Sequence, residues 1–272
     1  MNDLIDNRNE RPMVYLGGNR ALTKTIYGHK IIVDTRDISL APHILIDGYW
    51  EKWIASVFSE LILPGMVVLE IGANVGYYSL LAADKIGASG KLICFEANPE
   101  LSDLVFYNLA INGFGSRSEV VNKAVYSEDT ILTFKIYEKF LGGSSLWGND
   151  EQAKNYRDKV KRIQVDGIRL DSHIKPGTRV DFIKIDAEGA EPYILKGASR
   201  ILSENPHVII MFEFSPKCFI QNMSVEIFYN EWTRLGFKMY RIEPDSTLST
   251  LTLADAIATS TCDVILKNED SN

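Results

Sequence analysis

Cysteine is scarce in this chain, with three among 272 residues, at positions 94, 218 and 262. They stand far apart, each in or beside apolar sequence, which excludes a disulfide scaffold or zinc framework and predicts reduced core thiols. No apolar run approaches the roughly 18 residues of a membrane span. The first residues, MNDLIDNRNERP, lack the basic-then-apolar layout of a secretory leader, so a cytoplasmic protein is expected. Positive charge is in deficit too: the net charge is −7. The clearest basic stretch, KVKR at Lys159 to Arg162 with Lys154 and Arg157 before it, reads as a solvated helix end or loop rather than a nucleic-acid surface. Internal repeats and low-complexity tracts are absent. Of the four histidines, His29, His173 and His207 read as strand-end or loop residues, and His43 as one able to reach an acceptor.

What is present suits one globular unit, with 46% hydrophobic and 24% charged residues. Val67 to Asp84, VVLEIGANVGYYSLLAAD, passes from a short apolar run through a glycine turn into helical spacing, a strand, turn and helix whose free N–H groups can meet a ligand. The next strand, KLICFEANP, ends in Glu96, about twenty residues past the turn, where a carboxylate reaches ribose hydroxyls. The ligand therefore carries a nucleoside. The glycines are spaced G-A-N-V-G rather than G-x-G-x-x-G, and Glu70 at the strand end would repel a diphosphate. A cation suits that end better, which favours S-adenosylmethionine (SAM), with its sulfonium and ammonium, over NAD.

Further strands are expected at Thr23 to Asp37 (two, around Gly28), near Glu119 to Tyr126, and as an antiparallel pair at Ile131 to Tyr137 and Arg162 to Arg169. Val180 to Asp186 and His207 to Glu213 follow, with GFKMYRIE and CDVILKNE after a helix around Val225 to Leu235, giving a seven-stranded core. Helices are expected over Tyr49 to Leu63 and from Pro192 through Leu202. Residues 1–63 then form an N-terminal cap and 64–272 the ligand-binding unit.

Four segments resemble the FkbM family of SAM-dependent methyltransferases: DGYWE (Asp47 to Glu51), EIGANVGYYS (Glu70 to Ser79), FEANP (Phe95 to Pro99), and IKIDAEGAE (Ile183 to Glu191) with KGA (Lys196 to Ala198). The resemblance runs from about Ile31 to Pro216, with Glu70 where Asp is more usual and Ala187 where a β-branched residue is more common. It implies an α/β class I (Rossmann-like) methyltransferase, a doubly wound sheet with an antiparallel last strand, plus the small cap and the inserted strand pair. It also implies methyl transfer to a hydroxyl oxygen of a sugar, in a cell-surface glycan or glycosylated metabolite. The alternatives are a non-sugar metabolite acceptor or a noncatalytic SAM-binding protein. Carried over by residue, Glu70, Gly72, Asn74 and Gly76 line the methionine end of SAM, Glu96 binds ribose, Ala97 and Asn98 flank the adenosine, and Asn122 and Ala124 hold the adenine edge.

Chemistry is expected at the carboxyl ends of the fourth and fifth strands, where open α/β sheets bind ligands. Asp186, Glu188, Glu191 and Glu213 gather there. An acid ending a buried strand is costly unless used or paired, which favours function for Asp186, whereas Glu191 also fits as a helix-dipole partner. Asp186 or Glu188 serves as general base in this reading, with Glu213 and His43 as further candidates. A divalent cation between Asp186 and Glu213 is the less favoured route, and no metal ligands are assigned.

Overall fold

The computed structural model describes residues 11–147, 153–154, 157–216 and 224–268. Short strands β1 (Val14–Gly17), β2 (Arg20–Lys24) and β3 (Lys30–Asp34) form a three-stranded antiparallel sheet, followed by α1 (Ala41–Ile46) and α2 (Lys52–Leu61). The glycine-turn unit is β4 (Val67–Ile71) and α3 (Tyr77–Ile86), then β5 (Lys91–Phe95), α4 (Pro99–Ile111) and β6 (Ser118–Val121). A second small sheet contains β7 (Ala124–Val125), β8 (Thr130–Tyr137) and β9 (Val160–Ile168). The chain returns to the main sheet with β10 (Phe182–Ile185), β11 (Ile209–Phe214), β12 (Phe237–Ile242), β13 (Leu248–Thr250) and β14 (Cys262–Asn268).

The main sheet runs β13-β12-β14-β11-β10-β4-β5-β6. Strands β6, β5, β4, β10 and β11 are parallel, and β14 lies antiparallel between β11 and β12. This is the class I methyltransferase arrangement with its antiparallel last strand. Helices cover both faces of the parallel strands, so β4 and β10 read as near-continuous apolar runs. Alternation then sends Val68, Leu92, Phe182 and Met211 into one core layer and Leu69, Ile93, Ile183 and Ile210 into the other.

The architecture departs from expectation in detail. The sheet has eight strands, because β13 pairs outside β12 through Tyr240, Arg241 and Ile242. The single strand expected over Glu119 to Tyr126 is two: after Val121 the Asn122 side chain donates to the carbonyls of Glu96 and Ala97, and β7 leaves to run parallel to β9. The expected strand pair is thereby a mixed three-stranded sheet. The helix after Pro192 is also broken, into Glu191–Lys196 and Ser199–Glu204. A Cβ at Gly197 would lie 2.2 Å from the Tyr126 carbonyl, so the break is where helix and β7 end touch. In KVKR, Lys159 lies in the loop before β9 and Lys161 and Arg162 among the first residues of the strand, all three exposed, so the stretch is solvated as expected but ends no helix.

Two asparagines, Asn108 on α4 and Asn112 at its C-terminal cap, join the N-terminal elements to this core. Asn108 accepts from Ile32 N at 2.7 Å and donates to the carbonyls of Ile32 and Val75, at 2.9 and 2.8 Å. One turn on, Asn112 accepts from Lys30 N and donates to Lys30 O. Buried and fully used, Asn108 ties β3 to the glycine turn that carries Val75. Cys94 is a buried free thiol and Cys262 a half-buried one, whereas Cys218 lies outside the described residues.

Candidate active site

At the carboxyl ends of β4, β10 and β11 lies a cavity of about 330 Å³, walled by α1, the α2 start and residues 140–144. A pocket of about 60 Å³ adjoins it, and the two share Gly72, Glu96, Ser144 and Asp186.

The glycine turn is built for close approach. Gly72 has φ +80°, and a Cβ there would sit 1.8 Å from the Asp186 carbonyl, so only glycine lets the ends of β4 and β10 meet. Asn74, also left-handed at φ 53°, donates its N–H to Glu96 Oε2 at 2.8 Å, and Asn98 N donates to Glu96 Oε1 at 2.8 Å. Burial still pushes Glu96 up to about 7, with those N–H groups opposing it. The Asn74 Oδ1 atom is buried with no hydrogen-bond partner. A buried acceptor without a donor, beside Glu96, suits a ligand bringing hydroxyl or ammonium donors.

The sequence-named residues divide between lining the cavities and supporting them. Gly72, Asn74, Glu96, His43, Asp186, Glu188 and Glu213 all line the larger cavity, and Ala97 and Ala124 line the smaller. Glu70 lies sealed beneath the turn, accepting from Ser79 Oγ at 2.6 Å and in contact with Cys94 Sγ at 3.5 Å. Burial raises it to about 7. Gly76 starts α3 against Val105, Asn98 caps α4 by accepting from Glu100 N, and Asn122 pins the loop after β5. Glu191, buried, accepts from Ala187 N and Gly189 N at 3.0 and 3.3 Å, so it shapes the DAEG turn without facing the cavity. His43 contacts Asp47 at 3.4 Å and packs 5.1 Å from the Trp50 ring.

Three further groups complete the site: Glu51, Asp263 and Lys184. Six carboxyl side chains line the larger cavity: Glu51, Glu96, Asp186, Glu188, Glu213 and Asp263. Asp263 arrives because β14 is antiparallel, which sets its first residues beside the end of β11, opposite Glu213. Burial, then the charge of Asp186, raises Glu51 to about 8, Glu213 to about 7 and Asp263 to about 6. Glu188, at the solvent-reaching rim with φ 51°, is raised by its low-dielectric surroundings and then by Asp186 and Glu213. Lys184 lies below, 3.0 Å from Asp186 Oδ2, with Nζ 4.2 Å from the Tyr78 ring centroid. Charged Lys at the centre of an apolar strand was the readable signal for it, and the DGYWE segment marks Glu51; Asp263 carries no comparable mark.

Such a site can hold a cation through its carboxylates, a nucleoside at Glu96, and a flat apolar group in the pocket formed by Phe134, Leu146, Ala97, Ala124, Ala187 and Ala190. Trp50 lines the larger cavity, whereas Tyr49 packs against the core and Trp147 packs on Tyr193 at 5.4 Å.

A family described as the methyltransferase FkbM domain matches residues 70–243. Methyltransferase sdnD of Sordaria araneosa is 27% identical over 158 residues, covering 49% of this chain and 60% of that protein. A protein-L-isoaspartate O-methyltransferase of Korarchaeum cryptofilum is 38% identical over 65 residues, 21% of this chain and 29% of that one. The chain thus spans less than two thirds of either relative's length. Among solved structures, the methyltransferase FkbM from Methylobacillus flagellatus is 16% identical with a TM-score of 0.47, over 76% of this chain and 47% of that one.

Proposed function

Because the chain belongs to the FkbM family of SAM-dependent methyltransferases, we propose that it transfers a methyl group to a hydroxyl oxygen of a sugar, in a glycan or glycosylated metabolite. The observation that carries this reading is Asp186, which ends β10 against the Gly72 turn and shares one cavity with carboxylates suited to receive hydroxyl hydrogen bonds. In this reading residues 1–63 cap the unit formed by 64–272.

Bound SAM supplies an electrophilic methyl group on a sulfonium. Gly72 and Asn74 take its amino-acid end, Glu96 its ribose hydroxyls, and the alanine-lined pocket its adenine. Glu70, Gly76, Asn98 and Asn122 hold these groups in place from behind. On the acceptor side Asp186, which lines the cavity with a partly exposed side chain, would accept the proton of the acceptor hydroxyl. Glu51, Glu213 and Asp263 orient neighbouring hydroxyls, Trp50 offers a ring face, and the walls exclude water. Six carboxyl groups disfavour a phosphate-bearing acceptor such as nucleic acid.

The alternative within the same chemistry is a non-sugar metabolite alcohol, favoured by the apolar wall of Ile38, Leu40, Leu101, Phe140 and Leu141. The test is a screen with methyl-labelled SAM against neutral glycosides, hydroxylated polyketides and RNA, with the product located by mass spectrometry. Label on a sugar oxygen supports the proposal; label on a polyketide oxygen supports the alternative. Binding of SAM without transfer to any of them favours a noncatalytic protein.

A further inference from the structure

Strand β10 presents an anomaly for a four-residue strand buried throughout: Phe182 and Ile183 are fully covered, and Lys184 is 5% exposed. A buried ammonium is costly unless it is paired. In the sheet register Lys184 stands beside Glu70 of β4, which itself stands beside Cys94 of β5, so a polar row crosses one face of an otherwise apolar sheet. A Lys–Glu pair alone would be a purely structural account. The side chain, however, extends past that row: its Nζ packs on the Tyr78 ring and ends 3.0 Å from Asp186 Oδ2.

The surroundings of Asp186 give that contact its meaning. The groups its charge acts on are Glu51 ahead of α2, Glu70 of β4, Tyr78 of α3, Glu213 of β11, Asp263 of β14, and Glu188 and Glu191 of its own turn and helix. All are acids or neutral. The cation set against Glu51, Glu70, Glu213 and Asp263 alike is Lys184. Burial acts to discharge this ammonium, yet Asp186, Glu70 and Glu51 raise its pKa and keep it protonated.

We propose that Lys184 is a positioning residue for methyl transfer, acting through Asp186: pinned on Tyr78, it holds that carboxylate in one orientation and sets a positive charge against it among the acids of the cavity. The inference rests on the reading of Asp186 as the base. Lys184 does not line the cavity and takes no proton from the acceptor. Its charge stands 3.0 Å from the carboxylate that does.

The titration that tests this needs no acceptor. Protein labelled with ¹³C at aspartate Cγ is titrated by NMR, with the Asp186 resonance identified by its loss in Asp186→Asn. The comparison is E70Q against K184M/E70Q, because the double variant removes both buried charges and leaves neither unpaired. The Asp186 midpoint is expected to rise by about one pH unit or more in the double variant, a tenfold weaker ionisation. Coincident midpoints would mean that Lys184 serves Glu70 alone and would overturn the inference. Should the methionine variant not fold, K184Q/E70Q keeps a donor without the charge and makes the same comparison. Unchanged turnover in Asp186→Asn, assayed on the acceptor found by the screen, would overturn the base reading and the inference with it; inactive Asp186→Asn with coincident midpoints overturns the inference alone.

Discussion

The N–H of Leu141 donates to the carboxylate of Asp37 at 3.2 Å, bridging 104 residues of sequence. That same carboxylate accepts from the N–H groups of Ser39, Leu40 and Ala41 at 2.9, 3.0 and 2.9 Å, which starts α1. Ser39 Oγ then receives Gly142 N at 3.0 Å. The turn into α1 and the loop after β8 therefore form one wall, and Ser39, Leu40, Leu141 and Gly142 all line the cavity.

Asp37→Ala leaves those donors unmet and should destabilise the protein by about 1 to 3 kcal/mol. Faster amide exchange is expected at 39–41 and 141–142 together, read by hydrogen-exchange mass spectrometry. Acceleration in one segment with the other unchanged would show that the two move independently.

Gly72→Ala forces a methyl group against the Asp186 carbonyl at a φ of +80°. A loss of at least about 2 kcal/mol in chemical denaturation is expected, since both the backbone strain and the clash oppose folding. Near wild-type stability would mean that the ends of β4 and β10 separate easily.

Much of this was legible in the sequence. Apolar runs ending in Glu96 and Asp186 marked the strands that carry the site, because parallel strands covered on both faces leave few other patterns. The helix break at Gly197 and the departure of β7 after Asn122 were not legible, since each depends on a contact between segments far apart in the chain. Asp263 was hidden for the same reason, since it reaches the cavity from an antiparallel strand and has no local signature, whereas Glu51 closes the DGYWE segment but its place in the cavity depends on contacts distant in sequence. Glu70 shows the converse, a motif position whose carboxylate is used below the turn by Ser79.

Glu96→Ala should weaken both SAM and its demethylated product by about 1.5 to 3 kcal/mol, the range for a hydrogen bond to a charged group. Loss of the Asn74 and Asn98 N–H contacts to that carboxylate acts in the same direction. Calorimetry giving equal affinities for mutant and wild type would remove Glu96 from the ligand site.

The ligand-free protein should lose stability as pH rises from about 5 to about 8. Burial lifts Glu70, Glu96, Glu191 and Glu213 to about 7 and Glu51 to about 8, above the 4.5 of an unperturbed glutamate. Across that window the folded state holds more protons than the unfolded one, so raising the pH favours unfolding. The same ionisation makes the cavity more attractive to a sulfonium, and the ratio of SAM to product affinity should increase with pH. Melting temperatures at constant ionic strength check the first statement and calorimetry the second; a melting temperature that climbs from pH 5 to 8 would contradict the burial of these carboxyls.

Asp186→Asn should retain most of the SAM affinity while lowering turnover at least about a hundredfold, the low end of what general acid-base catalysis contributes. Asparagine keeps the size of the side chain and an oxygen for Lys184, which lies 3.0 Å from the native carboxylate, so the effect isolates loss of the base from loss of shape. The rate is measured with labelled SAM on the acceptor identified by the screen, with and without chelator. Activity that survives chelation in the wild type but is absent from the mutant favours direct proton removal by Asp186. Sensitivity to chelator in the wild type favours a cation held between Asp186 and Glu213. A mutant at near wild-type rate rejects both roles and moves the assignment to Glu188 or His43, which line the same cavity.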